Sequence, residues 1–230
     1  MIHAILFDIF GTLTTIDDND FMRNFLGILA PRFAHLLSPD KFSKLFMRTL
    51  AVVQKDPKPG QTNMQTFYEE FSKVTGQTYQ SLRPIFEEFY TDDFPTLHCL
   101  VQPNPAGLKV VESAMQHGFL TALASNPVLP IMAMKELVSW LGLKPENFSS
   151  IPALDNFHFH KPNPGFFIEI AENIGVKPEN CLLVTDKLDD NVCSGLGFKV
   201  FYSGADKSEF QADYAGPLED LLHLINQGRL

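Results

Sequence analysis

Asp8 closes the apolar run Ala4-Ile5-Leu6-Phe7 and opens the stretch Asp8-Ile9-Phe10-Gly11-Thr12-Leu13. A carboxylate fixed at the end of a buried strand, ahead of a Gly-Thr turn that leaves its oxygens open, is placed to act as a nucleophile. Burying such a group without a purpose is costly. Two other polar residues stand where apolar runs stop: Ser125 after Leu120-Thr121-Ala122-Leu123-Ala124, and Asp186 just beyond Cys181-Leu182-Leu183-Val184. Ligands of open parallel sheets bind beyond the carboxyl ends of the strands. Asp8, Ser125 and Asp186 are therefore expected to converge.

The elements that would position them follow from hydrophobic periodicity. Residues 1 to about 15 read as a buried strand and its loop. From there to about residue 95 the apolar residues fall at helical spacing: Phe21, Phe25, Ile28 and Leu29, then Phe42, Leu45, Phe46 and Val53. Met64, Phe67, Tyr68, Phe71 and Val74 give a third helix. Leu82, Phe86 and Phe89 give a fourth, with Pro84 in its first turn. After residue 98 helices and strands alternate. Leu108, Val111 and Met115 mark a helix stopped near Gly118, followed by a strand at 119–124, a helix over 131–141 and a helix closed by Gly175. Further strands are expected at 181–184 and 199–202, with a short helix near Val192 between them. The expected fold class is α/β: a doubly wound parallel sheet formed by residues 1–15 and 98–230, with a smaller all-helical domain, 16–97, inserted after the first strand.

Composition narrows the function. The chain has 230 residues, 45% of them hydrophobic, and a formal net charge of −9. That charge argues against a dedicated nucleic-acid or anionic-membrane binder, and leaves room for a phosphate site in a small pocket. The three cysteines, Cys99, Cys181 and Cys193, are widely spaced and odd in number, so a disulfide framework or zinc knuckle is not expected. No apolar stretch is long enough to cross a bilayer, and the N-terminal segment lacks a basic leader. A cytoplasmic protein acting on a small molecule is expected.

Four blocks of this sequence, taken in order, resemble the motifs of the haloacid dehalogenase superfamily: Asp8 to Leu13, Ser125-Asn126, Lys161-Pro162-Asn163-Pro164, and Thr185-Asp186-Lys187-Leu188-Asp189-Asp190-Asn191. The resemblance implies that Asp8 attacks the electrophile and forms an aspartyl ester. It implies that Ser125, Lys161 and Thr12 hold the transferred group, that Asn126 orients substrate, and that the helical insertion is a cap. It further implies a Mg²⁺ ion bound by Asp8, the Phe10 backbone carbonyl, Asp186 and Asp190, the last chosen over Asp189 and Asn191 for its four-residue spacing. Histidines 158 and 160 read as loop residues, and Asp17, Asp18 and Asp20 as the start of a helix.

Phe10 stands where phosphatases of that superfamily carry an acid–base Asp. Its loss biases turnover toward leaving groups that depart without a proton. Dehalogenases of the superfamily carry an aromatic residue there, but they lack an acidic residue at the position of Asp186. The expectation is a Mg²⁺-dependent phosphohydrolase acting on a small phosphorylated metabolite. The alternatives are a metal-independent 2-haloacid dehalogenase, with Arg23, Arg32 or Arg48 as candidate substrate clamps, and a binding or regulatory homologue with weakened turnover. Thr185, at a position usually held by Gly, feeds the last of these.

Overall fold

A computed structural model describes residues 1–204 and 212–230. Strand β1 (Ala4–Phe7) is buried along its whole length. It lies between β2 (Leu120–Leu123) and β3 (Cys181–Thr185) in a parallel five-stranded sheet of order β2-β1-β3-β4-β5. β4 (Lys199–Tyr202) and the short β5 (Tyr214–Ala215) extend the sheet beyond β3. Alternate side chains of β1 feed two cores. Ile5 and Phe7 join one; Ala4 and Leu6 join the other. A strand covered on both faces must be apolar at every position, which is why these runs show no alternation.

Four helices are inserted between β1 and the rest of the sheet: α1 (Asp18–Arg32), α2 (Pro39–Lys55), α3 (Asn63–Thr75) and α4 (Tyr79–Asp92). Asp17 caps α1 by accepting from the Asp20 amide at 2.8 Å, as the early acidic cluster led us to expect. Their shared interior is aromatic, with ring centroids 4.3 Å apart for Phe33 and Phe42, 5.2 Å for Phe46 and Phe67, and 5.3 Å for Phe25 and Phe89. Helix α4 begins earlier than expected, because the Thr78 hydroxyl accepts from the Ser81 amide and caps the helix there. Pro84 consequently lies inside α4 and not in its first turn.

The later helices, α5 (Pro105–Gln116), α6 (Ile131–Trp140), α7 (Pro164–Ile174) and α8 (Leu218–Asn226), cover the two sheet faces. The short helix expected near Val192 is a 3₁₀ segment, Leu188–Leu196, that follows β3 directly. No helix among the described residues is long and apolar enough to cross a membrane. None of the three cysteines is paired.

Candidate active site

Because β2, β1 and β3 are neighbours running the same way, the residues just past their ends meet at one rim. Asp8 is 2% exposed. The Ser125 hydroxyl accepts from the Ile9 amide at 2.7 Å and donates to Asp8 Oδ1 at 2.6 Å. Asp8 Oδ2 makes no hydrogen bond among the described residues, and Asp8 lines a cleft of about 360 Å³. One carboxylate oxygen is thus held and the other left open.

Lys161 enters the same rim from the loop before α7. Its Nζ lies 2.7 Å from Asp190 Oδ2 and 3.5 Å from Asp8 Oδ1. The Thr185 hydroxyl donates to the same Asp190 oxygen at 2.6 Å. Burial pushes the Lys161 ammonium down, but the charges of Asp190 and Asp8 outweigh it and hold it above its ordinary value. The Lys161 backbone is pinned as well. Its amide donates to Asn126 Oδ1 at 2.9 Å, and Gln54 Nε2 on α2 donates to its carbonyl at 2.5 Å. Asn126 lines the cleft, yet its carbonyl is committed to the Lys161 loop.

Asp186 lies beneath the Asp8 turn. Gly11 has φ +80°, and a Cβ there would run into the Asp186 carboxylate. Only glycine satisfies both the left-handed backbone and that close approach. Asp186 Oδ1 is buried and makes no hydrogen bond, although Lys187 Nζ stands 3.3 Å away. Burial raises the Asp186 carboxyl, and the Asp8 charge adds to the rise against the pull of Lys187.

Three of the predicted site residues sit differently from expectation. Asp190, expected among the ion ligands, lines the cleft but is also the counter-ion of Lys161; its Oδ2 is held by that buried ammonium and by the Thr185 hydroxyl. Neither Asp189 nor Asp190 caps the 3₁₀ segment. Thr12 is fully buried with its hydroxyl unpartnered, and it does not line the cleft. Ser125 stands behind Asp8 and does not line the cleft either.

No group of three His, Cys, Asp or Glu side chains among the described residues could hold a metal ion. Two carboxylates are available, Asp8 with one oxygen outside any hydrogen bond and Asp186 with an unbonded buried one. Mg²⁺ binds through one or two carboxylates and completes its shell with water, so this smaller set suits it.

Two contributors were not foreseen. His160 lines the cleft with Nε2 buried and unpartnered, and burial lowers it to about 4, so it is a neutral imidazole. Lys187 lines the cleft and pairs with Asp18 Oδ2 on α1 at 2.8 Å. An apolar patch of the cleft wall is formed by Phe10, 5% exposed and 4.7 Å from the Phe21 ring, together with Met22, Met47 and Leu50. No arginine lines it. Arg32 is paired with Asp93, and Arg23 with Asp20.

The family described as haloacid dehalogenase-like hydrolase matches residues 2–191. A bifunctional riboflavin kinase/FMN phosphatase of Arabidopsis thaliana is 25% identical over 192 residues, 80% of this chain and 44% of that protein. The chain spans less than half the length of the curated relatives it matches. Among solved structures, a HAD phosphatase from Thermococcus onnurineus superposes with TM-score 0.64 at 19% identity, over 100% of both chains. An L-2-haloacid dehalogenase from Xanthobacter autotrophicus gives TM-score 0.58 at 16% identity, over 98% of this chain and 99% of that one. At these identities the superpositions speak to the fold alone.

Proposed function

The chain belongs to the haloacid dehalogenase-like hydrolase family, and within it we propose a phosphohydrolase that works through an aspartyl-phosphate on Asp8. The observation that carries the reading is the division of labour on one carboxylate: Oδ1 held by Ser125 beside the buried Lys161 ammonium, Oδ2 unbonded at the cleft. In the first step Asp8 Oδ2 bonds to phosphorus and the ester P–O bond breaks, its electron pair leaving with the alcohol or phenol oxygen. Water then adds to the phosphoryl group and releases inorganic phosphate, restoring the carboxylate. Lys161 offsets the charge that gathers on the phosphoryl oxygens. Asn126 and Gln54 keep the Lys161 loop in place. Asp8, the Phe10 carbonyl and Asp186 would hold Mg²⁺, which supplies further offset of that charge. The reading also assigns residues 16–97 as a cap over the core of 1–15 and 98–230, excluding water from the cleft. The unpaired cysteines suit a reducing, cytoplasmic setting.

The apolar wall around Phe10 favours a small phosphate ester with an apolar leaving group. An aryl phosphate such as p-nitrophenyl phosphate is expected to release phenolate with Mg²⁺ present, and to lose most of its rate in EDTA. Unchanged release in EDTA would remove the ion from the reading. The second reading is a metal-independent 2-haloacid dehalogenase. It is favoured by Phe10 and by the lysines that already offset the carboxylates; the absence of an arginine at the cleft counts against it. Halide release from 2-chloropropionate in EDTA would establish it. Phosphate-analogue binding without turnover of either substrate class would mark a binding homologue.

Phe10 also makes a graded prediction. Phe10→Asp restores a group that can protonate an alkoxide, a contribution of about 10²-fold or more where it operates. The ratio of alkyl to aryl phosphate turnover is expected to rise by about tenfold or more. Steady-state kinetics on matched alkyl and aryl esters checks it, and an equal change in both would remove this account of Phe10.

A further inference from the structure

Lys187 occupies a position that the proposed reaction leaves unused. Its Nζ lies 2.8 Å from Asp18 Oδ2, 3.3 Å from Asp186 Oδ1 and 3.4 Å from Asp186 Oδ2. Asp18 belongs to the inserted helix α1, whereas Asp186 belongs to the rim of the sheet. One ammonium therefore joins the inserted helix to the rim of the sheet. Lys187 lines the cleft and Asp186 does not. The Lys187 backbone is held by its amide donating to the Thr185 hydroxyl at 3.0 Å.

The charges around it are unbalanced. Asp190 is matched by Lys161. Four carboxylates, Asp8, Asp18, Asp186 and Asp190, stand against two ammoniums, Lys161 and Lys187, which leaves two negative charges uncompensated. That deficit equals one divalent cation. The contact with Asp186 is also incomplete, since Oδ1 has an ammonium nearby but no hydrogen bond. The link to Asp18 is the shorter of the two.

Building on the ion site of the phosphohydrolase reading, we propose that Lys187 is a tethered competitor for the divalent cation. Its ammonium guards Asp186 when the ion is absent and is drawn off onto Asp18 when the ion arrives. The seating of α1 then sets metal affinity, because α1 carries the carboxylate that receives the displaced lysine. Lys187 is in this sense a positioning residue for the ion and takes no part in the bond changes at phosphorus.

The test is equilibrium binding of Mn²⁺ to the full chain, followed by electron paramagnetic resonance without substrate. Lys187→Met removes a cation within contact distance of a ligand and is expected to tighten Mn²⁺ binding by about tenfold or more, with Lys187→Gln giving the same direction. Asp18→Asn is expected to weaken it by about tenfold, because the lysine falls back on Asp186. With Lys187→Met already present, Asp18→Asn is expected to change affinity by less than about twofold. Additive effects of the two substitutions, or no tightening with Lys187→Met while Asp186→Asn abolishes binding, would overturn the tether and leave the ion site standing. No Mn²⁺ binding in any version would instead overturn the ion site itself, and the tether with it.

Discussion

Asp8→Asn is expected to lower aryl phosphate turnover by at least about 10⁴-fold, the scale on which removal of a covalent nucleophile acts. The amide is nearly isosteric, and its oxygen can still accept the Ser125 hydroxyl that now lies 2.6 Å from Oδ1. Lys161 keeps Asp190 at 2.7 Å and gives up only the longer contact to Asp8. Folding should therefore survive. The Asp8 charge pushes Asp186 and Asp190 upward, so its removal relieves crowding and the urea midpoint is expected to hold or rise. Initial rates, the urea midpoint and intact mass after substrate exposure separate these outcomes. Wild type is expected to gain one phosphoryl group transiently, and the variant none. A folded variant that keeps activity within about tenfold of wild type would remove Asp8 as the nucleophile.

The rim that carries this prediction was legible because it depends on short-range rules. A mostly apolar run ending in Asp, Ser or Asp announces a buried parallel strand and a polar residue at its end, and β1, β2 and β3 place Asp8, Ser125 and Asp186 together. The inserted helices were legible for a similar reason, since Phe21 and Phe25, Phe42 and Phe46, Phe67 and Phe71, and Phe86 and Phe89 recur at helical spacing and bury together. Helix α8 carried the same kind of signal in Leu218, Leu221 and Ile225, but no motif drew attention to it. β5, with two residues, has no period to read. Charge pairing was not legible. Asp186 and Asp190 look alike in sequence, four residues apart, yet one faces the Asp8 turn and the other a lysine that is distant in the chain. What each acid can do is decided by which cations fold against it. Lys161 faces Asp190 and Lys187 faces Asp186, pairings that exist only in three dimensions.

Lys161→Met follows from the same pairing and is expected to cost both stability and rate. The lysine side chain is 8% exposed and stands between two carboxylates, Asp190 at 1% and Asp8 at 3%. Methionine fills most of the volume but leaves two buried acids facing each other. Breaking a buried pair from one side costs about 3–5 kcal/mol, because the remaining charge keeps its desolvation penalty without its partner. Adding Asp190→Asn to Lys161→Met should recover at least half of that loss: the Thr185 hydroxyl can still donate to the amide oxygen, and Asp8 no longer faces a second buried charge. Activity should not return with stability, since the ammonium in contact with Asp8 is gone; a deficit of about 10²-fold or more is expected to persist. Urea midpoints and aryl phosphate kinetics on the single and double variants give the comparison. If rate returned together with stability, Lys161 would be a structural counter-ion alone, and charge offset at the reacting group would have to come from elsewhere in the cleft.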